Sequence, residues 1–100
     1  MVPDDPAAPG PRLRANAPNP FRQATTIHFD LPRAASTELG VYDLAGRLIR
    51  RLVSGALPAG SHATIWDGTD ANGKRVPSGV YLSRLTVDGE AQARRVVLVE

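Results

Sequence analysis

The stretch W-D-G-T-D-A-N-G-K-R-V-P-S-G-V-Y, residues 66–81, sets one large aromatic at the end of a strand-like run, then a glycine-punctuated polar turn, then a second strand opening at Gly79. Asp70 and Asn72 are residue types that bond the backbone just ahead of them, and Gly73 supplies positive φ, so residues 70–73 read as a tight turn. The same logic recurs at Asp43-Leu44-Ala45-Gly46, between strand-like runs over 37–44 and 47–53. Further out, T-T-I-H-F-D-L (residues 25–31) alternates Ile27, Phe29 and Leu31 with Thr26, His28 and Asp30, the period of a half-buried strand. Pro32 ends it. Asp88-Gly89 joins runs over 79–87 and 90–99 and is the strongest short hairpin signal in the chain. Residues 61–66 add a strand after a loop expected over 55–60, and residues 13–17 form a short first one. Pro18-Asn19-Pro20 stops that first strand, because two prolines exclude an interior strand and predict a crossover at a sheet edge. About seven short antiparallel strands predict an all-β, two-sheet sandwich.

The chain has 100 residues, enough for one domain with a modest core. It is 42% hydrophobic but only 5% aromatic, so aliphatic side chains must fill most of that core. The absence of cysteine excludes disulfides and thiolate metal sites. Residues 1–11, M-V-P-D-D-P-A-A-P-G-P, hold four of the nine prolines and read as a disordered linker, leaving 12–100 as the domain. A linker of this kind suggests a protein segment upstream. Residues 12–100 carry 12 bases against 8 acids, a net +4, and eleven of those bases are arginine. The pairs Arg50-Arg51, Lys74-Arg75 and Arg94-Arg95 do not build a one-sided stripe, since neighbours on a strand face opposite ways. A nucleic-acid partner is therefore not expected. Neither a membrane-length apolar run nor a signal-peptide pattern is present, so membrane insertion is not expected either.

The residue types that carry chemistry are few. His28 lies on the polar side of its strand, and a solvated surface role is expected. His62 shares a face with Trp66, where its ring is expected to cover the indole. Neither histidine has ligands at zinc spacing. Asp67, Asp70 and Asn72 invite a calcium reading, but an EF-hand loop ending at Gly79 would start at Gly68 and lack its final glutamate. An irregular cation site stays open beside the turn-capping reading. Ser36, Ser54, Ser61, Ser78 and Ser83 show no nucleophile elbow, and no glycine loop precedes a helix. Neither catalysis nor a cofactor is expected. Trp66 is read as the plug of the core, with an exposed ligand platform as the rival. Tyr42 and Tyr81 are read as structural, with hydroxyls bonded to backbone.

Taken in order, N-x-P-N-P-F (residues 16–21), T-T-I-x-F-x-L-P (25–32), V-Y-D-x-x-G-R (41–47), A-G-x-H-x-x-x-W-D-G (59–68), S-G-V-Y (78–81) and a closing R-R-V-V-L-V-E resemble a known family. The set resembles the FlgD-like immunoglobulin-like domain, and equally the type A C-terminal sorting domain of the type IX secretion system. The resemblance implies an immunoglobulin-like antiparallel β-sandwich without catalytic residues, carried at the end of a larger exported bacterial protein. It implies secretion or display at the cell surface, with a secretion translocon or an upstream passenger protein as partner. In the hook-capping branch the equivalent domain is an assembly scaffold, and an adhesive or carbohydrate-binding module is a further alternative. The residues carried over are framework only: Trp66, Tyr42 and Tyr81 in or near the core, and Gly46, Gly73 and Gly79 at turns. The final strand is the candidate edge for recognition by strand addition, and Arg94 and Arg95 are the candidate recognition residues.

Overall fold

In the computed structural model, which describes residues 10–100, seven strands follow one another along the chain. They are β1 (Arg12–Leu13), β2 (Thr25–Leu31), β3 (Ala35–Tyr42), β4 (Leu48–Leu57), β5 (Gly60–Trp66), β6 (Gly79–Val87) and β7 (Glu90–Leu98). Two antiparallel layers result, one ordered β1-β2-β5 and the other β4-β3-β6-β7. The expected all-β, immunoglobulin-like sandwich is the architecture observed. The proline-rich linker was expected over 1–11, and its residues 1–9 lie outside the described residues. Pro11 is engaged: its carbonyl accepts a 2.6 Å hydrogen bond from the Gln92 amide.

Period-two alternation places Ile27, Phe29 and Leu31 of β2 inward, where they are buried against Leu39 and Val41 of β3, Tyr81, Leu85 and Val87 of β6, and Val96 and Leu98 of β7. Trp66 stands among them with no exposed surface. The ring edges of Phe21 and Tyr81 flank it, with centroids 5.4 and 5.5 Å away and planes at 60° and 70°. Edge-to-face pairs of this kind add about 1 kcal/mol each to the burial of the rings. The two buried hydroxyl and indole hydrogens are both used. Trp66 Nε1 donates to the Thr69 carbonyl at 2.9 Å, and the Tyr81 hydroxyl donates to the Pro77 carbonyl at 2.5 Å. Burial raises the Tyr81 phenol above its ordinary pKa.

Between β6 and β7, Asp88 (φ 52°) and Gly89 (φ 83°) both take the left-handed conformation of a two-residue hairpin turn. β4 departs from the sequence reading. It does not end at residue 53 but continues to Leu57, because β3 starts at Ala35 and its first residues take partners there: Ala35 opposes Leu57, Ser36 opposes Ala56 and Thr37 opposes Gly55. The register also slips twice, between Leu39 and Gly40 and between Val41 and Tyr42. Each slip leaves one residue of β4 without an opposite, Leu52 and Ile49, and both turn half-buried toward the core. The first strand is shorter than expected, two residues, because its pairing with β2 is interrupted before Ala17, which exchanges both backbone hydrogen bonds with Thr26 at 3.0 and 2.9 Å. His62 likewise departs from expectation. Its ring stacks on Phe29, its cross-strand partner, at 5.2 Å and 22°, since Trp66 lies four residues (about 13 Å) further along β5.

Candidate functional site

Crossing between the layers is the task of residues 18–21, since Ala17 is still bridged to Thr26 of β2, and the side chain of Asn19 does most of the joining. Its Oδ1 accepts the Val97 N–H at 2.9 Å and its Nδ2 donates to the Arg95 carbonyl at 3.2 Å, so one side chain imitates a neighbouring strand's peptide group. Phe21 continues the contact through its backbone. Its N–H donates to the Val97 carbonyl and its carbonyl accepts the Val99 N–H, both at 2.9 Å, in a parallel bridge to Leu98. The Phe21 ring then enters the core against Trp66. The peptide bonds before Pro18 and Pro20 are both cis. The edge crossover predicted at these prolines is the one observed.

Side chains of β7 complete the closure from the other direction. Gln92 Oε1 accepts the Leu13 N–H at 2.8 Å, and Arg94 Nε donates to the Leu13 carbonyl at 2.9 Å. Of the two candidate recognition residues, Arg94 thus has its guanidinium committed to the fold. Arg95 points the opposite way, onto the outer face of the four-stranded layer, opposite Leu82. β7 is the end strand of its layer, but its outward backbone from Arg95 to Val99 is already engaged by Asn19 and Phe21.

The two D-x-x-G turns are built alike. Asp43 Oδ1 accepts the N–H groups of Ala45 (3.0 Å) and Arg47 (2.9 Å), and Asp70 Oδ1 accepts those of Asn72 (2.9 Å) and Lys74 (3.0 Å). Gly46 (φ 90°) and Gly73 (φ 80°) take the left-handed conformation that closes each turn. Gly79, the third framework glycine, opens β6 opposite Leu98. The hydrogen bond that the Arg47 backbone N–H donates is the first cause holding the Asp43 carboxyl below its usual pKa. Asp67 is also lowered, first by the Thr69 hydroxyl at 2.5 Å. These carboxylates are therefore occupied as turn caps. Among the described residues no group of three or more acids and histidines converges as a metal site. Arg50 ties the second turn to β4, its Nη1 donating to Thr69 Oγ1 (2.8 Å) and the Asp70 carbonyl (2.7 Å).

Of the remaining candidates, His28 is exposed and Trp66, wholly buried, offers no surface for a ligand to stack on. Tyr42 is half-buried on the outer face, with the Arg84 guanidinium 5.4 Å from its ring centroid. Sequence reasoning missed the roles of Asn19 and Gln92, whose partners lie nearly eighty residues away in the chain; the only signal was the N-P-F motif itself.

The sequence matches the FlgD Ig-like domain family over residues 15–91. Among solved structures, dimeric latent PorU from Porphyromonas gingivalis is similar with a TM-score of 0.71 and 23% identity, covering 89% of this chain and 9% of PorU. PorZ of the same organism, a surface component of the type-IX secretion system, is similar with a TM-score of 0.59 and 23% identity, covering 86% of this chain and 11% of PorZ. FlgD from P. aeruginosa is 28% identical over 74% of this chain and 59% of its own, with a TM-score of 0.55. The chain thus spans about a tenth of each Porphyromonas protein and somewhat more than half of that FlgD. No curated protein matches it.

Proposed function

Because the chain belongs to the FlgD Ig-like domain family, we propose that it is a non-catalytic C-terminal sorting or anchoring module, which directs or tethers a secreted bacterial protein at the cell surface. The observation that carries this reading is the likeness of the whole sandwich to about a tenth of PorU and of PorZ, which fits a module attached to a larger polypeptide. The partner is then a secretion translocon or the passenger upstream. A module closed by its own crossover onto β7 also suits this role. Within this reading Arg95, exposed on the outer face, is the better recognition residue, while Arg94 serves the fold.

The test is a fusion of the full chain to the C-terminus of a signal-peptide-bearing reporter in a type IX-competent bacterium. Reporter at the surface or in the medium, lost when the translocon is deleted, is the expected result. Reporter retained in the periplasm with a folded tail would overturn the sorting reading. Arg95→Glu is expected to reduce export with folding intact, and unchanged export would remove its recognition role. A second reading, an assembly domain of the hook-cap kind, is favoured by the higher identity to FlgD, 28%. Flagellar assembly restored by grafting this sandwich into a FlgD lacking its own would support that reading instead.

A further inference from the structure

The outer face of the four-stranded layer carries a feature that neither the core nor the crossover explains. Cross-strand pairing sets Leu48, Tyr42, Leu82 and Arg95 in one row, and Arg51, Gly40, Arg84 and Ala93 in the next. In the first row and the adjoining turn, aliphatic groups are left in water: Leu44 is 67% exposed and Leu48 44%. Gly40 sits mid-strand, where glycine weakens a sheet. The reason is local, since a Cβ there would lie 3.0 Å from Leu48 Cδ1 and 3.3 Å from Tyr42 Cε1. Glycine lets Leu48 and Tyr42 lie down over β3. Beside them a small hollow of about 100 Å³ opens between Tyr42, Leu44, Leu82, Arg84 and Ala93.

Apart from Asp43, which lines the hollow and is paired with Arg47, the charge around this apolar floor is of one sign. Arg51, Arg84 and Arg95 are all exposed, and no carboxylate of the described residues pairs with any of them. Asp43, beside the hollow, has its carboxylate turned to its own turn and to Arg47 (3.0 Å). Glu38 stands one row further on, opposite Ser54 and Thr86. We infer that this face, with Leu44, Leu48, Tyr42 and Leu82 as floor and Arg51, Arg84 and Arg95 as rim, is a docking surface for an acidic protein segment bearing an aliphatic anchor residue. The aliphatic side chain fills the hollow beside Leu44 and Leu82, and carboxylates on either side meet the guanidiniums that the sheet carries in adjacent rows. A second copy of this chain is the poorer occupant, because two such faces would set arginine against arginine. The inference goes beyond the sorting reading, since it concerns binding by the chain itself, whatever protein it follows.

The test uses the full chain and two short synthetic peptides, one alternating glutamate with leucine and one alternating lysine with leucine. Amide shifts in the protein's NMR spectrum locate binding, and anisotropy of the labelled peptide gives affinity. The glutamate peptide is expected to move Tyr42, Leu44, Leu82 and Arg84 and to weaken with added salt. Arg84→Glu and, separately, Leu44→Ser are each expected to lower its affinity by roughly tenfold or more. Ile65→Ser, on the opposite layer, is expected to leave it unchanged. Equal binding of the lysine peptide, or shifts confined to β2 and β5 of the opposite layer, would overturn the inference. So would absence of binding in a folded protein, or self-association that covers the same residues without peptide.

Discussion

Along one side of the sandwich, residues 11–21 run across the gap between the layers and fasten to β7 by backbone and side chain alike. Along the other, β4 and β5 are each the last strand of their layer. The two sides solve the edge problem differently. On the first, the chain covers its own edge, with Asn19 standing in for a strand and Phe21 as a stopper. On the second, β4 is blunted by two register slips and by Arg50 and Arg51, whereas β5 pairs with β2 in unbroken register and has no aspartate, glutamate, lysine or arginine. Closure on the first side rests on a few long-range side-chain contacts. On the second it rests on half-buried aliphatics such as Ile49, Leu52 and Leu57. The two sides should therefore answer very differently to single substitutions.

The largest difference is expected for Phe21→Ala against Ile65→Ala. Phe21 is buried against Trp66, and removing its ring is expected to cost about 3–5 kcal/mol, read as a lower denaturant midpoint. Ile65 is 64% exposed, so its truncation is expected to stay within about 0.5 kcal/mol. Equal losses at the two positions would erase the distinction. Next comes Asn19→Ala, which deprives the Val97 N–H and Arg95 carbonyl of their partner and is expected to cost about 1–3 kcal/mol. Thermal unfolding would check it, with Ser54→Ala on β4 as the near-neutral counterpart.

Acid provides a smaller perturbation that touches both sides. Asp30 is held below its usual pKa, first by the Ser61 hydroxyl at 2.8 Å and then by Arg14 at 2.8 Å, so it links β5 to the crossover. Asp43 and Asp67 are lowered too. Groups with lowered folded pKa values stabilise above the unfolded value of about 3.9, and that contribution is lost as pH falls through the folded values. Denaturant midpoints are therefore expected to hold constant down to about pH 4 and to fall below it. A smaller fall for Asp30→Asn would assign part of it to that residue. Arg94→Ala is expected to show the smallest effect, about 1 kcal/mol from its bond to the Leu13 carbonyl, against almost none for Arg95→Ala.

Much of this architecture was legible in residue order, for reasons that are local. β2 was readable from apolar alternation, and the β6–β7 hairpin from Asp88-Gly89, because both signals act within a few residues. The twin aspartate turns were readable for the same reason. The end of β4 was not, since Gly55 looks like a loop until Thr37 claims it as a partner. Nor was the work of Asn19, Gln92 and Arg94, each of which bonds a residue 76 or more positions away that no local pattern reveals. The resemblance marked N-P-F as a signature without giving its physics. The outer face was illegible for a related reason: its two rows come from four strands, and one-residue slips in β4 decide which side chains share them.

Amide hydrogen exchange on the full chain, comparing β7 before and after Asn19→Ala, tests the closure most directly. The N–H groups of Val97 and Val99 point away from β6, toward Asn19 Oδ1 and the Phe21 carbonyl. If the crossover seals this edge, both should exchange as slowly as the neighbouring amides paired to β6, and Asn19→Ala should release Val97 first. Exchange of these two amides at the rate of an open edge in the unaltered protein would contradict it.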